Sequence, residues 1–311
     1  MADCQLCGAS HPDDRPTCPQ QRTGQQLAGK YTIGEVIGVG GIAAVYSAEH
    51  PVLRRHIAVK ILHKRFANDH ELATRFVREA RETAALGHPA FVHVHDAGTT
   101  DDGVPYIEMD KLEGRELYEL RKETGPMEPE RVVQIAIQLL DALVALHARG
   151  VIHRDLKTQN IYLVPSPAGD QVVLLDLGFA KVEDELKLTS KQTVLGTPLY
   201  ISPEQYLDPT AVDARADLFS VGIILFELLT GEWPYTWETK RDLLSKVMKG
   251  NLERHPLNKR PDLPSWLDEV VAKALAHKRE DRFESAAAMK AALEAGPPPS
   301  KSGILRRLFG G

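Results

Sequence analysis

A lysine stands at the inner end of an apolar, strand-like run, HIAVKIL from His56 to Leu62. An unpaired ammonium buried there costs several kcal/mol, so the chain must fold to bring an acidic partner to Lys60. Glu79, within a charged segment of helical character from about Glu71 to Leu86, is the candidate. That pair would leave the lysine aimed at an anionic ligand. Upstream, YTIGEVIG and AAVYSAEH carry β-branched residues at near-alternate spacing and flank Gly38-Val39-Gly40-Gly41, which predicts an antiparallel sheet with a glycine-rich connection. These glycines precede a strand and not a helix. A flexible flap whose backbone amides cover phosphates suits that order better than a dinucleotide or Walker loop.

Downstream the period changes. Val132, Ile135, Ala136, Leu139, Leu140, Leu143 and Leu146 recur as on one face of a helix from Glu128 to Ala148, so the second half reads as mainly helical. The run from Val221 to Leu229 is the most hydrophobic and is too short for a bilayer, which takes about 20 residues. It reads as a buried helix, and with no secretory pattern at MADCQLCGAS the expectation is a cytoplasmic protein without a transmembrane segment. A net charge of -5 argues against a nucleic-acid footprint and toward proteins and small molecules as partners. The 311 residues divide into a Cys-containing head (1–19), a linker (20–30), one long domain (31–293) and a tail (294–311) expected to be disordered.

The most specific segment is His153-Arg154-Asp155-Leu156-Lys157-Thr158-Gln159-Asn160, with Asp176-Leu177-Gly178 after it and then GTPLYISPE from Gly196 to Glu204, Asp217 and Arg282. In this order, with the glycine loop, Lys60 and Glu79, the chain resembles the bacterial eukaryotic-like (Hanks-type) serine/threonine protein kinases. The resemblance covers residues 31–293 and neither end. It implies an α+β, bilobal protein-kinase fold, with a small antiparallel-sheet N-lobe (31–111) and a larger helical C-lobe (112–293).

It also implies roles. Asp155 accepts or orients the proton of the substrate hydroxyl, Lys157 reaches the transferred phosphoryl group, and Thr197 braces both. Lys60, paired with Glu79, meets the ATP phosphates. Asn160 and Asp176 offer oxygens to Mg2+. Ile37, Gly38, Val39, Gly40, Gly41, Val45, Ala58 and Tyr162 surround the nucleotide, with Met109 as gatekeeper and Asp110 to Leu112 as hinge. Glu204 and Arg282 make a buried ion pair, and Asp217 opens a helix that anchors the catalytic loop. The expected reaction moves the γ-phosphoryl group of ATP to Ser or Thr of protein substrates. Thr189, then Thr193, then Ser190 are candidate sites of autophosphorylation, with Arg154 placed to pair with the phosphate. The resemblance leaves a homodimer open.

Three departures stand out: Ala43 where the family has a third loop glycine, Leu177 in place of the DFG phenylalanine, and Ser202 in place of the APE alanine. Ala43 predicts a weaker or stiffer flap, since a methyl restricts φ without removing the amide. Two rivals are a small-molecule kinase of the aminoglycoside or choline type, which lacks the GTPLYISPE anchor, and a non-catalytic ATP-sensing scaffold, which would not need the intact catalytic charges. In the head, Cys4, Cys7, His11 and Cys18 supply the ligand types of a Cys3His zinc site without its usual second close pair. That segment reads either as a small zinc-binding module or as a head with chance cysteines.

Overall fold

The structure, a computed structural model, describes residues 22–52, 54–177 and 199–297. They fall into two compact units, one containing residues up to Gly114 together with the stretch from Val173, the other containing Arg115–Val172 and the remainder.

Among the described residues the first unit is a six-stranded sheet of β1 (Gln26–Leu27), β2 (Tyr31–Val39), β3 (Ala43–His50), β4 (Arg55–Leu62), β5 (Val94–Thr99) and β6 (Pro105–Asp110), with one α-helix, α1 (His70–Leu86). The strand order is β1-β2-β3-β4-β6-β5 and every pairing is antiparallel. Alternation in β4 sends Ile57, Val59 and Ile61 into the core with Leu72, Phe76 and Ala80 of α1. Ala58 and Lys60 take the opposite face of the sheet. Gly34 is required by close approach, because a Cβ there would lie 2.4 Å from Ser47 Oγ. The charged segment forms the helix expected of it. Asp69 caps it by accepting from Leu72 N at 3.0 Å, and Gly87, at φ 59°, ends it in the left-handed conformation. Glu79 lies on the same buried face as Leu72, Phe76 and Thr83.

Residues 173–177 belong to this unit because Leu174 exchanges backbone hydrogen bonds with it: its N donates to Ala90 O at 2.7 Å and its O accepts from Val92 N at 3.0 Å. Those two bonds fix where Asp176 lies.

The second unit is mainly helical: α2 (Leu117–Thr124), α3 (Pro129–His147), α4 (Pro203–Leu207), α5 (Arg215–Thr230), α6 (Lys240–Lys249), α7 (Ser265–Ala274) and α8 (Ala286–Ala295), joined by a small sheet of β7 (Arg115–Glu116), β8 (Ile161–Ser166) and β9 (Gly169–Leu174). All seven apolar residues whose spacing predicts α3 are buried. The run from Val221 to Leu229 lies wholly inside α5, which packs against α3 and α7. Gly222 permits the latter contact: a Cβ there would stand 2.9 Å from Leu275 Cδ2. Among the described residues no helix is long and apolar enough to cross a membrane.

Candidate active site

In the sheet unit, Lys60 pairs across the strands with Val45 on one side and Ile107 on the other. Its Nζ donates to Glu79 Oε1 at 3.2 Å, as the sequence predicts, and more closely to Asp176 Oδ1 at 2.6 Å. The Lys60 and Glu79 side chains are nearly buried, whereas Asp176 keeps 37% of its side chain exposed. Burial alone would push the ammonium down. The Asp176 and Glu79 charges outweigh it and hold Lys60 above the usual lysine range, so it stays a cation.

Ala58 lies opposite Met109, both buried, while Val45 is half-buried and Ile37 exposed on β2. Asp110 ends β6 with its N donating to His93 O at 3.0 Å, and Leu112 is half-buried beyond it.

The glycine loop is pinned by side chains that sequence reasoning missed. His63 Nε2 lies 2.9 Å from Gly40 O, so the proton sits on Nε2, and Arg65 Nη2 donates to Gly41 O at 3.0 Å. His63 is buried, and desolvation pushes its imidazole down despite the Gly40 carbonyl. The methyl of Ala43 is also buried, within the core of the sheet unit, and Ala43 O accepts from Gly40 N at 2.8 Å.

In the helical unit the catalytic-loop sequence is organised by Asp217, whose side chain is fully buried. Its carboxylate accepts from His153 N and Arg154 N, both at 2.9 Å, and from His147 Nε2 at 2.7 Å. These bonds, with Gln205 Nε2 donating to Arg154 O at 3.0 Å, hold Arg154 at φ 63°, a strained value for a residue with a side chain. Asp155 Oδ2 accepts from Lys157 Nζ at 3.1 Å and from Asn160 Nδ2 at 3.2 Å, and the same amide reaches Asp155 O at 3.0 Å. Thr158 Oγ1 lies 2.7 Å from Tyr200 OH, which donates to the buried Glu227 at 2.7 Å, and Arg121 pairs with that carboxylate. Burial raises Glu227, and the Tyr200 and Arg121 contacts oppose it. Tyr162 is half-buried on β8, opposite Glu116 of β7.

The expected pair between Glu204 and Arg282 is present and bidentate, at 2.6 and 2.9 Å, with the Arg282 side chain fully buried. Six residues named from sequence as chemical groups are thus gathered into two clusters: Lys60, Glu79 and Asp176 in one, Asp155, Lys157 and Asn160 in the other. Thr197, the candidate phosphorylation sites Thr189, Ser190 and Thr193, the residues Cys4, Cys7, His11 and Cys18, and the tail beyond Pro297 lie outside the described residues. One missed site had a signal. Glu227 sits in an apolar helical run as Lys60 sits in an apolar strand, and the same demand for a partner applies to it.

A family model described as "Protein kinase domain" matches residues 31–293, and the chain belongs to that family. Its fold is the protein-kinase fold. Among its relatives are the serine/threonine-protein kinase PknB of Mycobacterium leprae, 36% identical over 290 residues that make up 91% of this chain and 46% of that protein. PknH of Mycobacterium bovis is 38% identical over 285 residues, 90% of this chain and 47% of the relative. The chain therefore spans less than half the length of these curated relatives. Among solved structures, a variant of the Mycobacterium tuberculosis PknI kinase domain superposes with a TM-score of 0.67 at 28% identity, covering 88% of this chain and 97% of that one.

Proposed function

We propose that this chain is an ATP-dependent protein kinase acting on Ser and Thr hydroxyls, and the ammonium of Lys60 held between Glu79 and Asp176 is the observation that carries the reading. Phosphoryl transfer needs positioning and charge neutralisation more than covalent chemistry. A lysine kept cationic, with a half-open carboxylate beside it, is a donor set suited to phosphate oxygens and to a hard divalent ion. Lys60 would bind the phosphates, and the amides of the loop from Gly38 to Gly41 would cover them. Asn160 and Asp176 would supply oxygens to Mg2+, which neutralises phosphate charge when bound. Asp155 would orient the acceptor hydroxyl and take its proton, while Lys157, 3.1 Å from Asp155, would steady the transferred group.

The Glu204 and Arg282 pair supports a protein acceptor over a small-molecule one, because Glu204 closes the GTPLYISPE anchor that the small-molecule kinases lack. Autophosphorylation at Thr189, Thr193 or Ser190 belongs to this reading, as does a cytoplasmic location, where ATP is supplied. Zinc at Cys4, Cys7, His11 and Cys18 is a separate proposal that rests on ligand types alone.

The test is transfer of radiolabelled γ-phosphate from Mg-ATP to the protein itself and to a generic basic protein. Label on Ser or Thr, reduced about 10²- to 10⁴-fold by Asp155→Asn, is the expected result. ATP binding without label from either protein would replace the reading with a non-catalytic one.

A further inference from the structure

Outside the charge-bearing residues assigned above, the sheet unit gathers metal-binding atoms at one edge, one of them from Asp110 of the expected hinge. His93 stands just before β5, His95 within it, and Asp110 closes β6. One ligand atom from each lies within 4.8 Å of the others. His93 Nδ1 is 3.1 Å from His95 Nδ1, and His95 Nε2 is 2.6 Å from Asp110 Oδ1. The spacing is set by backbone as well as by side chains, since Asp110 N donates to His93 O at 3.0 Å and the strands pair beyond it.

Arg55 intrudes on this group. Its Nη2 lies 2.6 Å from His95 Nε2 and 3.1 Å from Nδ1, with Asp110 Oδ1 at 3.9 Å. A ring nitrogen either donates or accepts. With the proton on Nε2, His95 donates to Asp110 and leaves the Nδ1 lone pair to face Arg55 at 3.1 Å, so Arg55 is the cation now held among these groups.

We propose that His93, His95 and Asp110 form a binding site for a divalent transition-metal ion of the zinc type, with the Arg55 guanidinium filling the place in the metal-free protein. Two imidazoles and a carboxylate, with a fourth position open to water, match the ligand chemistry of zinc and disfavour magnesium. Metal-to-nitrogen bonds of about 2.0–2.1 Å in a tetrahedral site put neighbouring donors about 3.3 Å apart. His95 Nε2 and Asp110 Oδ1, now 2.6 Å apart around a proton, part slightly to reach it as the metal replaces that proton. The Arg55 side chain is 49% exposed, so it can withdraw to water without unpacking the core. The site uses none of the residues given a charge-bearing catalytic role, and it stands whether or not the kinase reading does.

The test is titration of the full chain with Co2+, without nucleotide, followed by visible absorption and then by displacement with Zn2+. The expected spectrum has tetrahedral bands without thiolate charge transfer, and it persists when Cys4 and Cys7 are both replaced by Ser. His95→Ala weakens Co2+ binding about tenfold or more. Asp110→Asn, which preserves shape, also weakens it, and Arg55→Ala tightens it by removing the competing cation. Circular dichroism selects the variants that remain folded. No uptake, a thiolate spectrum lost with the cysteines, or an affinity indifferent to both His95→Ala and Asp110→Asn would overturn the proposal.

Discussion

Lys60 and Asp155 each sit in a cluster of opposite charges, but the two clusters are held in different ways. Around Lys60 the contacts are between the ends of side chains from β4, from α1 and from the segment after Leu174. Around Asp155 the loop itself is fastened, because the buried carboxylate of Asp217 accepts from two of its backbone amides. Side-chain ends can exchange partners when a phosphate arrives. Amides gripped by a buried carboxylate cannot, unless the loop changes shape. The difference separates a cluster that is free to re-aim its charges from one that presents its groups in one geometry.

The largest expected effect tests the fixed half. Asp217→Asn turns an N–H toward a backbone N–H and should reduce stability by about 3 kcal/mol, with phosphoryl transfer falling alongside. Urea denaturation reads it, and an unchanged midpoint would remove the contrast between the clusters. Close behind, Arg282→Met strands Glu204 and should also cost about 3 kcal/mol. Adding Glu204→Met should recover part of that loss, since the two residues act as one unit.

The adjustable half should respond in activity more than in stability. Glu79→Gln leaves Lys60 its closer partner, Asp176, so kcat/KM should drop about tenfold, the worth of one charge-assisted hydrogen bond. Lys60→Met removes the cation altogether and should fall much further. Equal losses in the two variants would mean that Asp176 alone does not position the lysine.

The smallest effect concerns the glycine loop. His63 is held neutral by burial, while the unfolded chain takes up its proton at a pKa of about 6.5. Below that pH the unfolded state binds more protons, so stability should decline as pH falls through about 6.5 and level off once the folded form also protonates. His63→Gln keeps an N–H for Gly40 and should abolish this component, seen as urea midpoints that no longer separate between about pH 5 and 7.

How much of this could be read from sequence follows from the kind of constraint. The sheet, α1 and α3 were legible because apolar period and turn chemistry act locally. The meeting of Lys60 and Glu79 was legible because a buried charge demands a partner and few carboxylates were near enough along the chain. Asp176 as the closer partner was not, since it lies 116 residues away and is brought in by Leu174 bonding to Ala90 and Val92. His63, Arg65, His147 and Gln205 were silent for a related reason. A polar residue after a strand or at a helix end is ordinarily solvated, and only the tertiary arrangement assigns it a carbonyl or carboxylate to hold. The edge cluster of His93, His95 and Asp110 was not read from the sequence, because its third member comes from a neighbouring strand.

Asp217 also sets an order of events in synthesis. It lies 64 residues beyond His153, whose amide it holds. A growing chain completes His153 to Asn160 long before the residue that shapes them exists, so the ribosome releases the loop first as an unfastened strap and only later supplies its buckle. Whatever chemistry Asp155 performs must wait for α5.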